Sequence, residues 1–416
     1  TVDTWHCWIA DGTPTDHESY EPMMAALAPF LDSEKFTYLR QSGTGVSQAR
    51  NEAVTKGSAP YLATLDGDDL WYPEHLEWMA EAIEASKDTP VALWWAGADA
   101  ELFLTSIKTG ETYTQEGVIG WFEQFPRILP RDTHYFIRGN PVIPSNTVVL
   151  RNRFEEVGGY DEEFDRQDGY DIWLKIVFKY KIKNLNKPLF NYRQHGENLT
   201  TNLKKLLRTR SLIKRKFSKN LKKLKTLTVV PFRGSGADIN SRPLSKLGDK
   251  SLIEWTIDEA IRSKNTDKII TSSPDKESLK FISQTYGNKV ETSIRPDHLA
   301  KLSTDVEETI IDLINKERAE GLEYDAVMIL DIDYPFKEYW QIDEAIDTLN
   351  IFNVDAVDGV TDDDRFYYWH LGKGLVPLIK DSPLKRERDK LYRRVGGINA
   401  VRVNTLMASS SLFSGI

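Results

Sequence analysis

In "YLATLDGDDLWYPEHLE" (61–77), three carboxylates, Asp66, Asp68 and Asp69, occupy four positions directly behind an apolar run. A fourth, Asp11, follows a similar run in "WHCWIADG" (5–12). Carboxylates gathered at strand ends repel one another unless a cation lies among them, and a divalent metal is the usual neutraliser. Mg²⁺ or Mn²⁺ held by one or two carboxylates takes its other ligands from water and substrate phosphates. The pattern therefore points to metal-assisted chemistry on a phosphorylated substrate. The plainer alternative is that Asp68 and Asp69 cap the helix starting near Pro73.

Such residues need a scaffold that brings strand ends together. In open α/β sheets the ligand crevice lies beyond the carboxyl ends of the strands. The first 200 residues alternate short apolar runs with helical patterns, predicting an α/β domain with a largely parallel sheet. Strands are expected at 5–12, in "KFTYLRQ" and in "APYLATLD", with helices at 16–31, in "GVSQARNEAVTKG" and in "PEHLEWMAEAIEAS". "VALWWAGADAELF" is expected to pair into a hairpin near "TGET". From Thr226 a second α/β pattern begins with "TLTVVPF" and runs through "DAVMILDID". The fold class is α/β, two Rossmann-like nucleotide-fold domains in tandem: 1–202, then a basic helical linker 203–225, then 226–416.

The linker carries eleven Lys or Arg and no acidic residue. It reads either as a solvated helical connector or as a basic amphipathic segment for an anionic membrane surface or acceptor.

Bulk properties narrow the classes. A chain of 416 residues, 40% hydrophobic and 28% charged, is long enough for two cores. Its net charge of −9 argues against a general nucleic-acid binder. The single cysteine, Cys7, excludes an internal disulfide and a cysteine-clustered zinc site. No apolar run approaches the roughly 20 residues that span a bilayer, and the first residues lack a signal pattern. A cytoplasmic protein, with the inner face of the membrane as a possible station, is the expectation.

The order "DGTPTD" (11–16), "GVSQARN" (45–51), "LDGDDLWYPEHLE" (65–77), "GGYDEEFDRQDGYDIWLKI" (158–176) and "NYRQH" (191–195) resembles the family 2 glycosyltransferases of the GT-A fold. The resemblance implies a UDP-sugar donor, with glucose or a related hexose as the best guess, a glycan, lipopolysaccharide or glycolipid acceptor, and Mn²⁺ or Mg²⁺. It implies that Asp11 meets the uracil edge and that Arg50 and Asn51 lie near base and diphosphate. It also implies that Asp66 contacts the ribose, Asp68 holds the metal, and His195 completes the metal site or touches the diphosphate. Asp168 stands nearest the family's catalytic base, with Asp171 in reserve. Base-assisted single displacement would invert the anomeric centre. Relatives begin with a strand that this sequence lacks at its start, so the first strand is expected to be missing. Trp94, Trp95 and Asp99 fall where the family's acceptor cleft begins; tryptophans in a strand are also common core residues.

"LTVVPFRGSGADINSRPLSKLGDKSLIEWTIDEAI" (227–261), "IRPDHLA" (294–300), "YDAVMILDIDYPFK" (324–337) and "RRVGGINAVRVNTL" (393–406) resemble cytidylyltransferases that make CMP-sugars. In that family a glycine-rich loop with Arg and Lys holds the CTP phosphates. Arg233 is kept, Ala237 replaces the first loop lysine, Arg242 stands for the second, and Asp331 replaces a glutamine. The expectation is a degenerate or truncated module. The alternatives are a bifunctional enzyme that also makes a CMP-sugar and a nucleotide-sugar-binding scaffold without turnover.

Overall fold

The computed structural model describes residues 4–105, 112–119, 128–129, 144–194, 199, 202–234, 236, 238–363, 365, 367–370, 372, 375–377 and 391–412. Two compact units divide it, Thr1–Arg210 and Ser211–Ile416. The division falls inside the helix Leu203–Ser218.

In the first unit, strand Cys7–Asp11 pairs in parallel with Phe36–Arg40, bringing Asp11 opposite Arg40. A seven-stranded sheet runs Tyr61–Ala63, Thr147–Leu150, Val91–Thr105, Lys181–Gln194, Leu70–Trp71, with Thr112–Ile119 and Ile128–Leu129 added at its side. This sheet is mixed rather than largely parallel. Val91–Thr105 lies parallel to Lys181–Gln194 but antiparallel to Thr147–Leu150 and to its hairpin partner Thr112–Ile119. The chain reverses at the "LDGDD" turn instead of crossing over through a helix, so Leu70–Trp71 enters the sheet antiparallel.

The core of this unit explains two tryptophans. Side chains of successive strand residues point to opposite faces, so both Trp94 and Trp95 can be buried only where both faces are covered. Trp94 is 3% and Trp95 1% exposed. Trp94 packs with Met79, Val148 and Leu189, and its indole N–H donates to Ser86 Oγ. Neither ring offers a face to a sugar, which corrects their assignment to an acceptor cleft. Asp99 pairs with Val118 and Asn191 in the sheet; its side chain lies outside the described residues. Helix Asp168–Val177 is buried at every residue except Lys175.

In the second unit, the parallel strands Glu291–Ile294, Lys268–Ser273, Thr226–Pro231 and Ala326–Leu330 lie in that spatial order, followed by antiparallel Leu391–Arg402 and Ala356–Asp363. Strand order reverses beside Thr226–Pro231, which makes a topological switch point there. One apolar layer, with Val230, Ile253 and Ile257, covers one face. Another, with Leu227, Val229 and Ile310, covers the opposite face. Helix Leu252–Arg262 starts with a capping box between Ser251 and Glu254.

The basic segment is not a free connector. Ile213 is fully buried and Lys214 is 4% exposed. Lys214 Nζ pairs with Glu344 at 2.9 Å and Arg215 with Asp347 at 3.5 Å. Among the described residues no helix is long and apolar enough to cross a membrane.

Candidate functional site

Asp11 ends its strand nearly buried, with Oδ2 accepting from Tyr38 Oη and Arg40 Nη1, both at 2.7 Å. Thr13 N–H donates to Oδ1 at 2.8 Å. Burial works against the Asp11 charge, but the Thr13 and Tyr38 hydrogen bonds and the Arg40 cation outweigh it, leaving the carboxyl below its ordinary value. Burial and the Asp11 carboxylate push the Tyr38 phenol up to about 12.

Arg50, on helix Val46–Lys56, joins residues distant in sequence. Its guanidinium donates to Asp168 Oδ2 through Nη1 and to Asp66 Oδ1 through Nη2. Its cation lies 5.2 Å from the centre of the Tyr160 ring. Burial opposes the Arg50 charge; Asp66 and Asp168 more than offset it and hold the guanidinium protonated. Arg50 therefore faces carboxylates rather than lying open to a diphosphate. Asn51 serves the neighbouring loop: Nδ2 donates to Tyr160 O and Glu162 Oε1, both at 2.9 Å, while Tyr160 N–H donates to Oδ1 at 3.1 Å. With its amide so engaged, Asn51 shapes the "GGYDE" loop, which corrects its assignment to the donor.

Asp168 opens its helix directly after Gln167, a non-glycine residue held at φ 57. Strained backbone of this kind persists where surroundings over-determine it; here Tyr170 N–H and Asp171 N–H both donate to Gln167 O. Asp168 is 7% exposed. Burial raises its pKa, Arg50 pulls it down and Asp66 pushes it up, with a net rise. Asp171 is fully buried and paired with Lys175 Nζ at 2.8 Å, and that ammonium also donates to Gly159 O at 2.9 Å. A carboxylate closed off in this way cannot meet a substrate hydroxyl, so the reserve assignment fails.

Beyond strand Tyr61–Ala63, Asp69 N–H donates to Asp66 O at 3.1 Å and closes the acidic turn. Asp68 is half-buried and Asp69 is 5% exposed. Burial, with the Asp66 and Asp68 charges, pushes Asp69 up to about 6 against hydrogen bonds from Ser145 and Arg193. Among the described residues Asp69 Oδ2 has no hydrogen-bond partner of ordinary geometry. His195 lies outside the described residues. Among the described residues no three His, Cys, Asp or Glu side chains form a metal cage. The half-buried Asp68 beside Asp66 and the unsatisfied Asp69 oxygen fit a hard dication that draws most ligands from phosphates and water.

In the second unit, Arg233 stands two residues beyond Thr226–Pro231 and donates to the carbonyls of Lys301 and Thr304, both at 3.1 Å. Arg242 is exposed, and Ala237 lies outside the described residues. Two cations were not singled out from sequence. Arg295, directly after Glu291–Ile294, is 5% exposed and donates to Ser272 O at 2.8 Å. Burial and the neighbouring Arg233 charge bring it down to about 10. Lys337 Nζ donates to Asp331 O at 2.8 Å, Tyr334 O at 2.6 Å and Thr256 Oγ1 at 3.1 Å, and burial brings it down to about 8. The strand-end rule that marked the first unit's carboxylates would have found Arg295.

Residues 15–225 match the model of the glycosyltransferase like family 2, just over half of the chain. The chain belongs to that family. Residues 227–367 of this family 2 glycosyltransferase match the cytidylyltransferase model. The uncharacterized glycosyltransferase YwdF of Bacillus subtilis is 22% identical over 39% of this chain and 56% of its own length. The CMP-N,N'-diacetyllegionaminic acid synthase of Legionella pneumophila is 28% identical over 30% of this chain and 53% of its own. The chain thus spans little more than half the length of these relatives. A crystal structure of S. aureus TarS with UDP-GlcNAc is similar at TM-score 0.38 and 13% identity, covering 50% of this chain and 57% of that one.

Proposed function

We propose that the first unit is a metal-dependent inverting hexosyltransferase using a UDP-sugar, glucose or a related hexose, and a glycan, lipopolysaccharide or glycolipid hydroxyl. The observation that carries the reading is the Arg50 bridge, which brings the strand-end carboxylate Asp66 and the helix-start carboxylate Asp168 onto one guanidinium. The bridge supports reading the donor and base roles as neighbours. Asp11, with its fixed acceptor oxygens, suits the N–H edge of uracil. Asp68, with His195, would hold Mn²⁺ or Mg²⁺, which when bound offsets charge on the departing diphosphate.

Asp168 takes the acceptor hydroxyl's proton as that oxygen bonds to the anomeric carbon. The bond from that carbon to the UDP oxygen breaks, and its electron pair leaves with the diphosphate. Burial raises the affinity of Asp168 for the proton, which suits a base, while Arg50 keeps it ionised. An α-linked donor then gives a β-linked product; an α-linkage by NMR overturns the inverting assignment. The family test is a screen of nucleotide-sugars by thermal shift and UDP release with and without Mn²⁺. A UDP-hexose is expected to stabilise the protein, and a screen in which no UDP-sugar does so rejects the donor.

A second reading concerns the other unit. Arg233 and Arg295, each just beyond a parallel strand, favour an anionic nucleotide there, as in a bifunctional enzyme. Against turnover stand Asp331 and Ala237, so we propose a binding module. CTP-dependent pyrophosphate release would restore the catalytic version.

A further inference from the structure

We infer that Ser145 is a positioning residue that sets the acidic turn Asp66–Asp69 for the donor, an inference that rests on the glycosyltransferase reading above. Strand Tyr61–Ala63 pairs antiparallel with Thr147–Leu150, Tyr61 opposite Leu150 and Ala63 opposite Val148. Continuing that register past the last paired residue brings Asp66 opposite Ser145. The backbone ladder has ended there, and a side chain takes its place: Asp66 N–H donates to Ser145 Oγ at 3.1 Å. The same residue holds the far end of the turn, since Trp71 Nε1 donates to Ser145 O at 2.6 Å. Trp71 is itself stacked on His75, ring centres 4.3 Å apart and 6° from parallel. Ser145 is fully buried, in the short 3-10 turn Pro144–Asn146. That turn is tied down independently, because Asn146 Nδ2 donates to Ala96 O and Thr147 Oγ1 to Pro144 O at 2.8 Å.

One serine thus spans the turn, its hydroxyl on the Asp66 amide and its carbonyl on the Trp71 indole. Without the hydroxyl, the Asp66 N–H loses its partner. The Asp66 carboxylate then depends on Arg50 alone for its place, and the turn can choose a different register.

The test compares Ser145→Ala, Ser145→Cys and Ser145→Thr with Ser86→Ala, which loses a buried hydroxyl of the same unit that touches neither the acidic turn nor the Pro144–Asn146 turn. UDP release is followed with UDP-glucose and Mn²⁺. Ser145→Ala and Ser145→Cys are expected to raise the donor KM and the half-saturating Mn²⁺ by roughly 10- to 100-fold, the range for outer partners of a metal site. kcat should change several-fold less. Ser145→Thr should recover most of the loss, and Ser86→Ala should leave both constants within about twofold. Hydrogen exchange of the Asp66 amide, measured on the same proteins, is expected to be slow in wild type and faster by tenfold or more in Ser145→Ala. If Ser145→Cys keeps wild-type constants, or if Asp66 exchange is unchanged in Ser145→Ala, the positioning role is overturned. A wild type that releases no UDP from any UDP-sugar rejects the glycosyltransferase reading instead, and the amide exchange then decides the role of Ser145 by itself.

Discussion

The two units arrange charge differently beyond their strand ends. In the first, strand and helix ends carry Asp66, Asp68, Asp69 and Asp168, with Arg50 buried among them. In the second, Arg233 and Arg295 hydrogen-bond to backbone carbonyls, and the carboxylates Asp331 and Asp333 follow the strand Ala326–Leu330. A cluster of carboxylates needs an added cation before it can accept a diphosphate; guanidiniums supply their own, offset in the second unit by Asp331 and Asp333. The difference teaches that one α/β plan can host either solution, and that the charge at the strand ends, rather than the fold, separates them.

Asp68→Asn attacks the carboxylate side most strongly. UDP release should fall by more than the roughly 10- to 100-fold that losing an outer partner costs, and should lose its response to Mn²⁺; Arg295→Ala should leave it within about twofold. Initial rates over a Mn²⁺ series check both. Next comes Arg50→Ala, which leaves Asp66 and Asp168 without their shared cation. Breaking a buried pair on one side costs roughly 3–5 kcal/mol, seen in denaturant unfolding. Arg40→Ala, whose partner Asp11 is buried but whose own side chain is 40% exposed, should cost less in the same unfolding measurement.

The smallest effect is in pH. Asp168 must be ionised to act, and its pKa is raised by burial, so kcat should climb with pH over a limb lying above the ordinary carboxylate value of about 3.9. Arg50→Met removes the cation that lowers it, and the limb should move further up. A limb at or below the ordinary value would contradict the burial argument.

Much of this site was legible as residue type and place. Asp11 ends its strand and Asp66 follows the strand Tyr61–Ala63, as their place behind apolar runs implies. Partnership was not legible: Arg50 meets Asp168 across 118 positions, and no local pattern announces a pairing that exists only once helix and sheet are packed. Asp168 and Asp171 differ by three residues on one helix, yet one reaches Arg50 and the other is shut against Lys175. Trp94 and Trp95 fall where an acceptor cleft would begin, but tryptophans in a strand are more often core. A strand covered on both faces settles them as core. The mixed sheet was hidden for a related reason: a strand of three residues, Tyr61–Ala63, carries no mark of the direction in which it pairs.

The most direct measurement of the central claim is kcat for UDP release by Asp168→Asn beside Asp171→Asn, each checked for retained fold by circular dichroism. Removing a general base costs on the order of 10²- to 10⁴-fold. We predict that loss for Asp168→Asn with the thermal midpoint largely kept, and for Asp171→Asn a lowered midpoint with kcat of the folded fraction within about tenfold. Asp168→Asn turning over at the wild-type rate would contradict the account.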